Sequence, residues 1–298
     1  MKTEVNGIDP DCYACIINQA RSTARHAGLN RSDTQEAMDA AMRWILMARY
    51  NPIQVQHIVR HVADVVQKRL GLPNHDLYAD VKRQSHNVAL SFVDGFRDTM
   101  QHSAHPLETG IRIAAAGNII DFGAKDHASL DLHKELNSLE RLKFGRYDYD
   151  AFHAKLGGAE QLLYLCDNVG EIDFDKLLME QLRKSYPQLQ ITAAMRQSPI
   201  INDATVDDAL VAGLDQVSTV ISSGSVYPGT ILSECTNAFR ELYYKADLVI
   251  SKGQGNFETI LPDADERVFF MLRIKCDTMA HLAGLQKGEL VFMQGKQK

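Results

Sequence analysis

The chain has 298 residues, of which 45% are hydrophobic and 23% are charged, and its formal net charge is −6. This composition is ordinary for a globular protein and argues against a general affinity for nucleic acid or acidic membranes. Five cysteines do not suggest a disulfide framework, and no apolar run approaches the ~20 residues of a membrane span. The first residues, MKTEVNGIDP, lack the features of a signal peptide. We therefore expect a cytoplasmic protein that binds any anionic substrate through local charge or a metal ion.

The first hundred or so residues have the periodicity and the end signals of helices. A glycine follows DCYACIINQARSTARHA, a Ser/Asp cap begins RSDTQEAMDAAMRWILMARY, and the next segment runs from Pro52 to Gly71. A fourth helical pattern spans roughly Asp76 to His102. Four consecutive helices with no strand between them predict an all-helical N-terminal cap subdomain, which we place at residues 1–105.

From Ile111 onward, strand-like segments alternate with stretches long enough to form crossover helices. The strand-like segments are GIRIAAAGNIIDFG, QLLYLCDNVG, LQITAAMRQ, VSTVISSG, ADLVISKGQ and RVFFMLRIK. This alternation predicts an α/β fold with a mainly parallel, doubly wound sheet. We place this α/β catalytic domain at residues 106–298, after the linker-like QHSAHPLETG.

Polar residues stand where several of these strands end. Asp167 and Asn168 directly follow the apolar run LLYLC, with Glu171 close behind, and Asp203 precedes Thr205, a typical helix N-cap residue. The carboxyl ends of neighbouring parallel strands meet at one edge of the sheet. Carboxylate and amide oxygens suit Mg²⁺ or Mn²⁺, so the pattern predicts a divalent metal ion on Asp167, Asn168 and Asp203. The alternative is that these are ordinary turn and capping residues.

Basic residues follow two of the strands. Lys252 precedes the turn GQGN, and a lysine with nearby backbone N–H groups can hold a phosphate, although the segment is not a P-loop. The alternative is a tight turn with a solvated lysine. Arg196 follows the segment ITAAM and could pair with an oxyanion, or it could form a surface salt bridge.

Further polar residues complete the predicted site. Asn118 and Asp121 lie in AAAGNIIDFGA, where a strand is expected to end, and Ser223 lies in the loop SSGSVYPGT. Such loops can donate hydrogen bonds to a phosphate or a sugar, although most Ser/Gly-rich loops have no such role. The predicted catalytic residues are Asp167, Asp203 and Lys252, and the predicted substrate-binding residues are Asn118, Asp121, Glu171, Arg196, Ser223 and Asn256.

Cys12 and Cys15 form a CxxC at the start of the first predicted helix. No other cysteine pair has the spacing of a zinc ribbon, so a structural zinc site is not expected. Cys166 precedes the acidic pair and is expected to be a buried strand residue rather than a nucleophile.

The ordered set CYAC, AGNIIDFG, LCDNVGE, INDAT and ADLVISKGQGNFE resembles the DUF89 family, the metal-dependent damage-control phosphatases. The resemblance covers nearly the whole chain, and the CxxC is similar to that of one subfamily. It implies a divalent ion, Mn²⁺, Mg²⁺, Co²⁺ or Ni²⁺, on Asp167, Asn168 and Asp203. It also implies a helical domain on an α/β core, and hydrolysis of phosphomonoesters such as sugar phosphates and damaged or side-product phosphometabolites.

Hydrolysis of a phosphomonoester requires that the phosphoryl charge is neutralised and that a water is positioned. The metal would bind one phosphate oxygen, and Lys252 with nearby backbone N–H groups would bind the others. Glu171, Asp203 and Asp247 are all candidates to steer the water, and the sequence leaves this choice open. A nucleophilic Asp167 is less favoured, because a carboxylate that coordinates a metal is a poorer nucleophile.

The partner expected from this chemistry is a small phosphorylated metabolite, with nucleotides among the candidates, and neither nucleic acid nor a membrane. The competing hypothesis is a phosphometabolite-binding or regulatory protein that keeps the cleft and the metal but does not turn over.

Overall fold

The structure is a computed structural model that describes residues 8–117 and 143–295. The described residues pack as two units. The first unit contains the residues up to Ala79 together with two short segments, Ser198–Ile201 and Val226–Pro228, and the second contains the rest. The predicted substrate-binding residues Asn118 and Asp121 lie outside the described residues.

The first unit contains three helices, α1 (Asp11–His26), α2 (Arg31–Met47) and α3 (Val55–Leu70). Each helix contributes one apolar stripe to a shared core. This core includes Ile16 and Ala20 of α1, Ala37 and Ala41 of α2, and Ile58, Val62 and Val66 of α3. As expected, Cys12 and Cys15 lie in the first turns of α1.

The fourth helix, α4 (Ala79–His102), belongs to the second unit. The predicted division between the two parts was at residue 105, whereas the packing divides the chain at Ala79. The reason is the apolar face of α4, which is buried against residues of the α/β unit. This cluster consists of Ala89, Phe92, Phe96 and Met100 with Ile113, Ala116, Phe174 and Leu177.

The segment that follows is also helical. Helix α5 (Pro106–Ala116) begins with a proline in its first turn and buries most of its residues. The prediction of a strand from Ile111 was therefore wrong. From Gly110 to Ala116 every residue except Arg112 is buried, so this apolar run resembles that of a buried strand.

The second unit is built on a seven-stranded sheet with the order β1-β7-β6-β5-β2-β3-β4. The strands are β1 (Phe144–Tyr147), β2 (Gln161–Leu165), β3 (Gln190–Met195), β4 (Thr219–Ser222), β5 (Leu248–Lys252), β6 (Val268–Arg273) and β7 (Leu290–Gln294). All neighbouring strands are parallel except β6 and β7. The prediction of a mainly parallel sheet in an α/β fold is confirmed.

Helices cover both faces of this sheet. They are α5 and α6 (Tyr149–Leu156), α7 (Glu171–Ser185), α8 (Val206–Val211), α9 (Asn237–Lys245), α10 (Gly253–Ile260) and α11 (Asp277–Ala283). Because successive strand residues point to opposite faces, Leu162 and Tyr164 of β2 join a core with α5, α6 and α7. Leu163 and Leu165 join the opposite core with α9, α10 and α11. The sheet is therefore doubly wound.

The chain reverses its direction across the sheet beside β2. From β2 it proceeds through β3 to β4 on one side, and β5 and β6 continue on the other side. Open α/β sheets bind their ligands at the carboxyl ends of the strands at such a switch point. In this chain the switch point lies between the ends of β2 and β5.

None of the helices in residues 8–117 and 143–295 is both long enough and apolar enough to cross a membrane.

Candidate functional site

Two loops at the carboxyl edge of the sheet are joined by backbone hydrogen bonds. The N–H of Val169 donates to the carbonyl of Asn202 at 3.0 Å, and the N–H of Ala204 donates to the carbonyl of Asp167 at 2.7 Å. Asn168 and Asp203 thereby form a short antiparallel bridge. These bonds bring together the two loops that carry the three predicted metal ligands.

The carboxylates of this site are buried close to one another. Asp167 is 7% exposed, Asp203 4% and Glu171 3%. Burial, followed by the negative charges of Asp203 and Glu171, raises the pKa of Asp167 well above its usual range. Burial also raises the pKa of Asp203, although Arg196 opposes this shift. A buried concentration of negative charge of this kind favours a bound cation.

Asn168 links two of these carboxylates. Its Nδ2 donates to Asp167 Oδ2 at 3.0 Å and to Glu171 Oε1 at 2.7 Å. The amide nitrogen is therefore occupied, and Oδ1 is the atom of this side chain that could bind a metal ion.

Arg196 is buried beside the two aspartates, and the alternative of a surface salt bridge is wrong. Its Nε donates to Asp203 Oδ2 at 2.7 Å, and its Nη1 donates to Thr230 Oγ1 and Asn256 Oδ1, each at 3.0 Å. Nη2 lies 3.6 Å from Asp167 Oδ1 and makes no hydrogen bond. The guanidinium therefore fixes Asp203 and partly neutralises both aspartates.

Asn256 has a structural role that the sequence did not reveal. Its Nδ2 donates to the carbonyls of Cys166 and Lys252, and its Oδ1 accepts from Arg196 and from Thr230 Oγ1. These four bonds use the full hydrogen-bonding capacity of the amide. Asn256 thus ties the ends of β2 and β5 to Arg196, and its assignment to substrate binding stays a prediction.

Lys252 is fully buried, so the alternative of a solvated lysine is wrong. Its Nζ donates to Asp175 Oδ1 at 2.6 Å and to the carbonyl of Ala114 at 2.8 Å, and lies 3.6 Å from Glu171 Oε2. Burial lowers the pKa of this lysine, but Asp175 and Glu171 outweigh burial, so the pKa is raised. The contact of Lys252 with a phosphate stays a prediction.

Gly253 lies directly against Asp167. Its φ is +76°, and a Cβ at this position would lie 1.9 Å from Asp167 Oδ2. The site therefore requires a residue without a side chain at the first position of α10. The N–H groups of the first helical turn have no partners within the helix, so this end of α10 favours an anion.

Two predicted residues have other roles. The Ser223 hydroxyl donates to the carbonyl of Met195 at 2.9 Å and accepts from the N–H of Ser225, which orders the loop; its contact with substrate stays a prediction. Asp247 accepts from the N–H groups of Glu160 and Gln161, each at 2.9 Å. Asp247 precedes β5 and lies beside the start of β2, at the end of the sheet opposite the candidate site. It is therefore excluded as the residue that steers the water.

Asp175 is a further buried carboxylate beside the site, and its spacing from Glu171 was a signal for it in the sequence. Glu171 and Asp175 are four residues apart in α7 and therefore share one face of that helix. Both side chains are buried, and Tyr164 also donates to Asp175 Oδ1 at 2.7 Å.

As expected, Cys166 is buried rather than reactive, and burial raises the pKa of its thiol well above the usual value.

The fold and this acidic cluster define a doubly wound α/β protein whose candidate site lies at the switch point of its sheet. A sequence profile of the damage-control phosphatase ARMT1-like domain matches residues 8–291, and the chain belongs to this family. The predicted membership of the DUF89 family is thereby confirmed.

Relatives cover nearly the whole chain. The chain is 33% identical to damage-control phosphatase PH1575 of Pyrococcus horikoshii over 97% of this chain and 98% of that protein. It is 28% identical to a damage-control phosphatase of Archaeoglobus fulgidus over 95% and 98%. The crystal structure of a DUF89 family protein from P. horikoshii matches with a TM-score of 0.85 and 32% identity over 97% of this chain and 99% of that one.

Proposed function

We propose that this protein is a divalent-metal-dependent phosphatase that hydrolyses phosphomonoesters of small metabolites. The observation that carries the proposal is the pairing of the Asp167–Asn168 loop with the Asp203 loop at the switch point of the sheet. Relatives named damage-control phosphatases support it. The substrate classes to test are sugar phosphates, damaged or side-product phosphometabolites, and nucleotides. Membership of the CxxC-containing subfamily is part of the same proposal.

The residues at this position suit a hard divalent cation. Within the described ranges, no group of three or more His, Cys, Asp and Glu side chains is arranged to hold a metal ion. The proposed set differs from such a group because it combines two carboxylates with the amide oxygen of Asn168. Oxygen donors of this kind suit Mg²⁺ and Mn²⁺ best, with Co²⁺ and Ni²⁺ as further candidates.

Each residue of the site would have its own role in phosphomonoester hydrolysis. A bound ion would supply Lewis-acid polarisation of a phosphate oxygen and an activated water. Arg196 fixes Asp203 through its Nε. The N-terminal N–H groups of α10 would stabilise negative charge that develops on the phosphoryl group. Glu171 is our choice for the residue that orients the water, because Asp203 is one of the proposed metal ligands and Glu171 is not. Lys252 supplies the positive charge next to Glu171.

The proposal is tested with purified, chelator-treated protein. We expect turnover of p-nitrophenyl phosphate, and of members of a panel of sugar phosphates and nucleotides, when Mn²⁺ or Mg²⁺ is added back. Asp167→Ala is expected to lose both turnover and Mn²⁺ uptake, the latter measured by calorimetry. Asp94→Ala is the matched control, because its side chain is 97% exposed on α4 and should leave both quantities unchanged.

Two results would decide against parts of this proposal. If Asp167→Ala kept full activity after exhaustive chelation, turnover would not depend on an ion bound by Asp167. Binding of phosphorylated metabolites by the metal-loaded protein without turnover of any of them would instead favour the competing hypothesis of a binding or regulatory protein.

A further inference from the structure

A buried charged cluster lies next to the candidate site. Lys252, Asp175 and Tyr164 are all fully buried. Asp175 Oδ1 accepts two short hydrogen bonds, from Lys252 Nζ at 2.6 Å and from the Tyr164 hydroxyl at 2.7 Å. The cluster joins α7, β2 and β5, three of the elements whose ends contribute to the site.

The two oxygens of Asp175 are used unequally. Oδ1 accepts both hydrogen bonds, whereas Oδ2 is buried and accepts none. Leaving a buried carboxylate oxygen without a donor costs free energy. The unpaired Oδ2 therefore destabilises the carboxylate at this position. The ion pair of Oδ1 with Lys252 opposes that cost.

The lysine has three N–H donors, and their directions are fixed by its surroundings. One donates to Asp175 and one to the carbonyl of Ala114. The third side of the ammonium faces Glu171 Oε2, at 3.6 Å. Glu171 in turn accepts from Asn168, so the ammonium is one residue away from the proposed metal ligands.

We propose that Asp175 is a positioning residue for phosphoryl transfer, which holds the Lys252 ammonium charged and directed toward Glu171 at the site. This proposal rests on the proposed function, because it gives Lys252 its purpose there. Burying an ammonium costs several kcal/mol unless a nearby carboxylate offsets the cost. Asp175 provides that offset, and Tyr164 fixes the oxygen that contacts the lysine.

Several ionisable groups surround Lys252. They are Asp175 and Glu171 of α7, Tyr164 of β2, and Cys166 directly after β2. Asp175 and Glu171 are the carboxyl groups among them, and only Asp175 accepts a hydrogen bond from Nζ. Removal of the Asp175 charge should therefore have the largest effect on the protonation of this lysine.

The test is Asp175→Asn, which can keep Oδ1 as the acceptor for both hydrogen bonds while it removes the negative charge. We expect kcat/KM to fall by about tenfold or more, and its alkaline limb to move down by about one pH unit or more. Mn²⁺ affinity should not change, because Asp175 does not contact the proposed metal ligands. Ser251→Ala is the matched control: this neighbouring hydroxyl on β5 is buried and makes no hydrogen bond, so its removal should alter neither quantity.

A second measurement does not depend on activity. The pKa of the Lys252 ammonium is followed by NMR in lysine-labelled wild type and Asp175→Asn, with Lys252→Met to assign the signal. A lower pKa in the variant supports the positioning role even if no substrate is hydrolysed, which would overturn the proposed function alone. An unchanged pKa, or a wild-type pH profile of kcat/KM in Asp175→Asn, would overturn the role of Asp175.

Discussion

The carboxylate of Asp167 lies against the backbone of Gly253, at the point where β5 ends and α10 begins. A glycine serves two purposes here. Its φ of +76° is in the left-handed region, and its missing side chain leaves the space that the Asp167 carboxylate occupies. The position of Asp167, a predicted metal ligand, therefore depends on the absence of a side chain at Gly253.

Gly253→Ala tests this dependence. The new Cβ would overlap Asp167 Oδ2, so the carboxylate must move, and a displacement of about 1 Å at a reacting centre can cost about 10²-fold in rate. We expect a loss of metal-dependent turnover of that order and weaker Mn²⁺ binding. Gly284→Ala is the control, because Gly284 has a φ of +69° but no atom within 4 Å of the Cβ position.

The control separates strain from overlap. Gly284→Ala should cost only the conformational strain of a left-handed residue, about 1 to 2 kcal/mol of stability, with activity unchanged. Equal activity losses in the two variants would mean that strain, and not contact with Asp167, explains the effect.

At the scale of elements, polar contacts of α4 connect it to the helices around the site. Lys82 Nζ lies 3.0 Å from Asp208 Oδ2, and His86 Nδ1 lies 3.0 Å from Asp173 Oδ1. Thr205 Oγ1 accepts from the N–H of Asp208, which confirms the predicted N-cap, and Asp208 Oδ2 accepts from the N–H of Thr205. Helix α4 is thereby tied to α8, which follows Asp203, and to α7, which begins at Glu171.

The contact between α4 and α7 predicts a dependence of stability on pH. Burial raises the pKa of Asp173 from 3.8 to about 6, although His86 opposes the shift. Between these values the folded state binds more protons than the unfolded state, so the free energy of unfolding falls as pH rises from about 4 to about 6. This contribution amounts to at most about 3 kcal/mol.

Asp173→Asn removes this contribution. Relative to the variant, the wild type is expected to lose stability as pH rises through that window, which urea unfolding of metal-free protein at several pH values would measure. The exposed pair Asp98 and His102 on the same helix provides the control, because solvent screens it and Asp98→Asn should change little. Parallel stability curves for wild type and Asp173→Asn between pH 4 and 6 would contradict the prediction.

At the scale of the whole molecule, a ligand that binds only the folded state stabilises it. If the proposed site is present, Mn²⁺ at about 100 times its Kd should raise the apparent free energy of unfolding by about 2.7 kcal/mol. Thermal unfolding of chelator-treated protein with and without Mn²⁺ measures this effect. The double variant Asp167→Ala/Asp203→Ala should show no such shift, and a shift equal to that of the wild type would place the ion elsewhere.

Much of the architecture and part of the site follow from the sequence itself. The helical period predicts α1 to α4, and the alternation of apolar strands with crossover segments predicts a parallel sheet. Because parallel strands end at a common edge, the positions of Asp167, Asn168 and Asp203 in the chain were enough to predict their proximity. Thr205 was recognisable as a cap because capping is a local interaction within one helical turn.

The remaining features depend on partners that are distant in the sequence. The apolar run within the buried helix α5 resembles a strand, and the bonds that occupy Arg196, Lys252 and Asp175 connect segments from separate strands and helices. Local patterns determine which elements form and where they end, whereas the burial and pairing of a charge depend on what the completed fold packs around it.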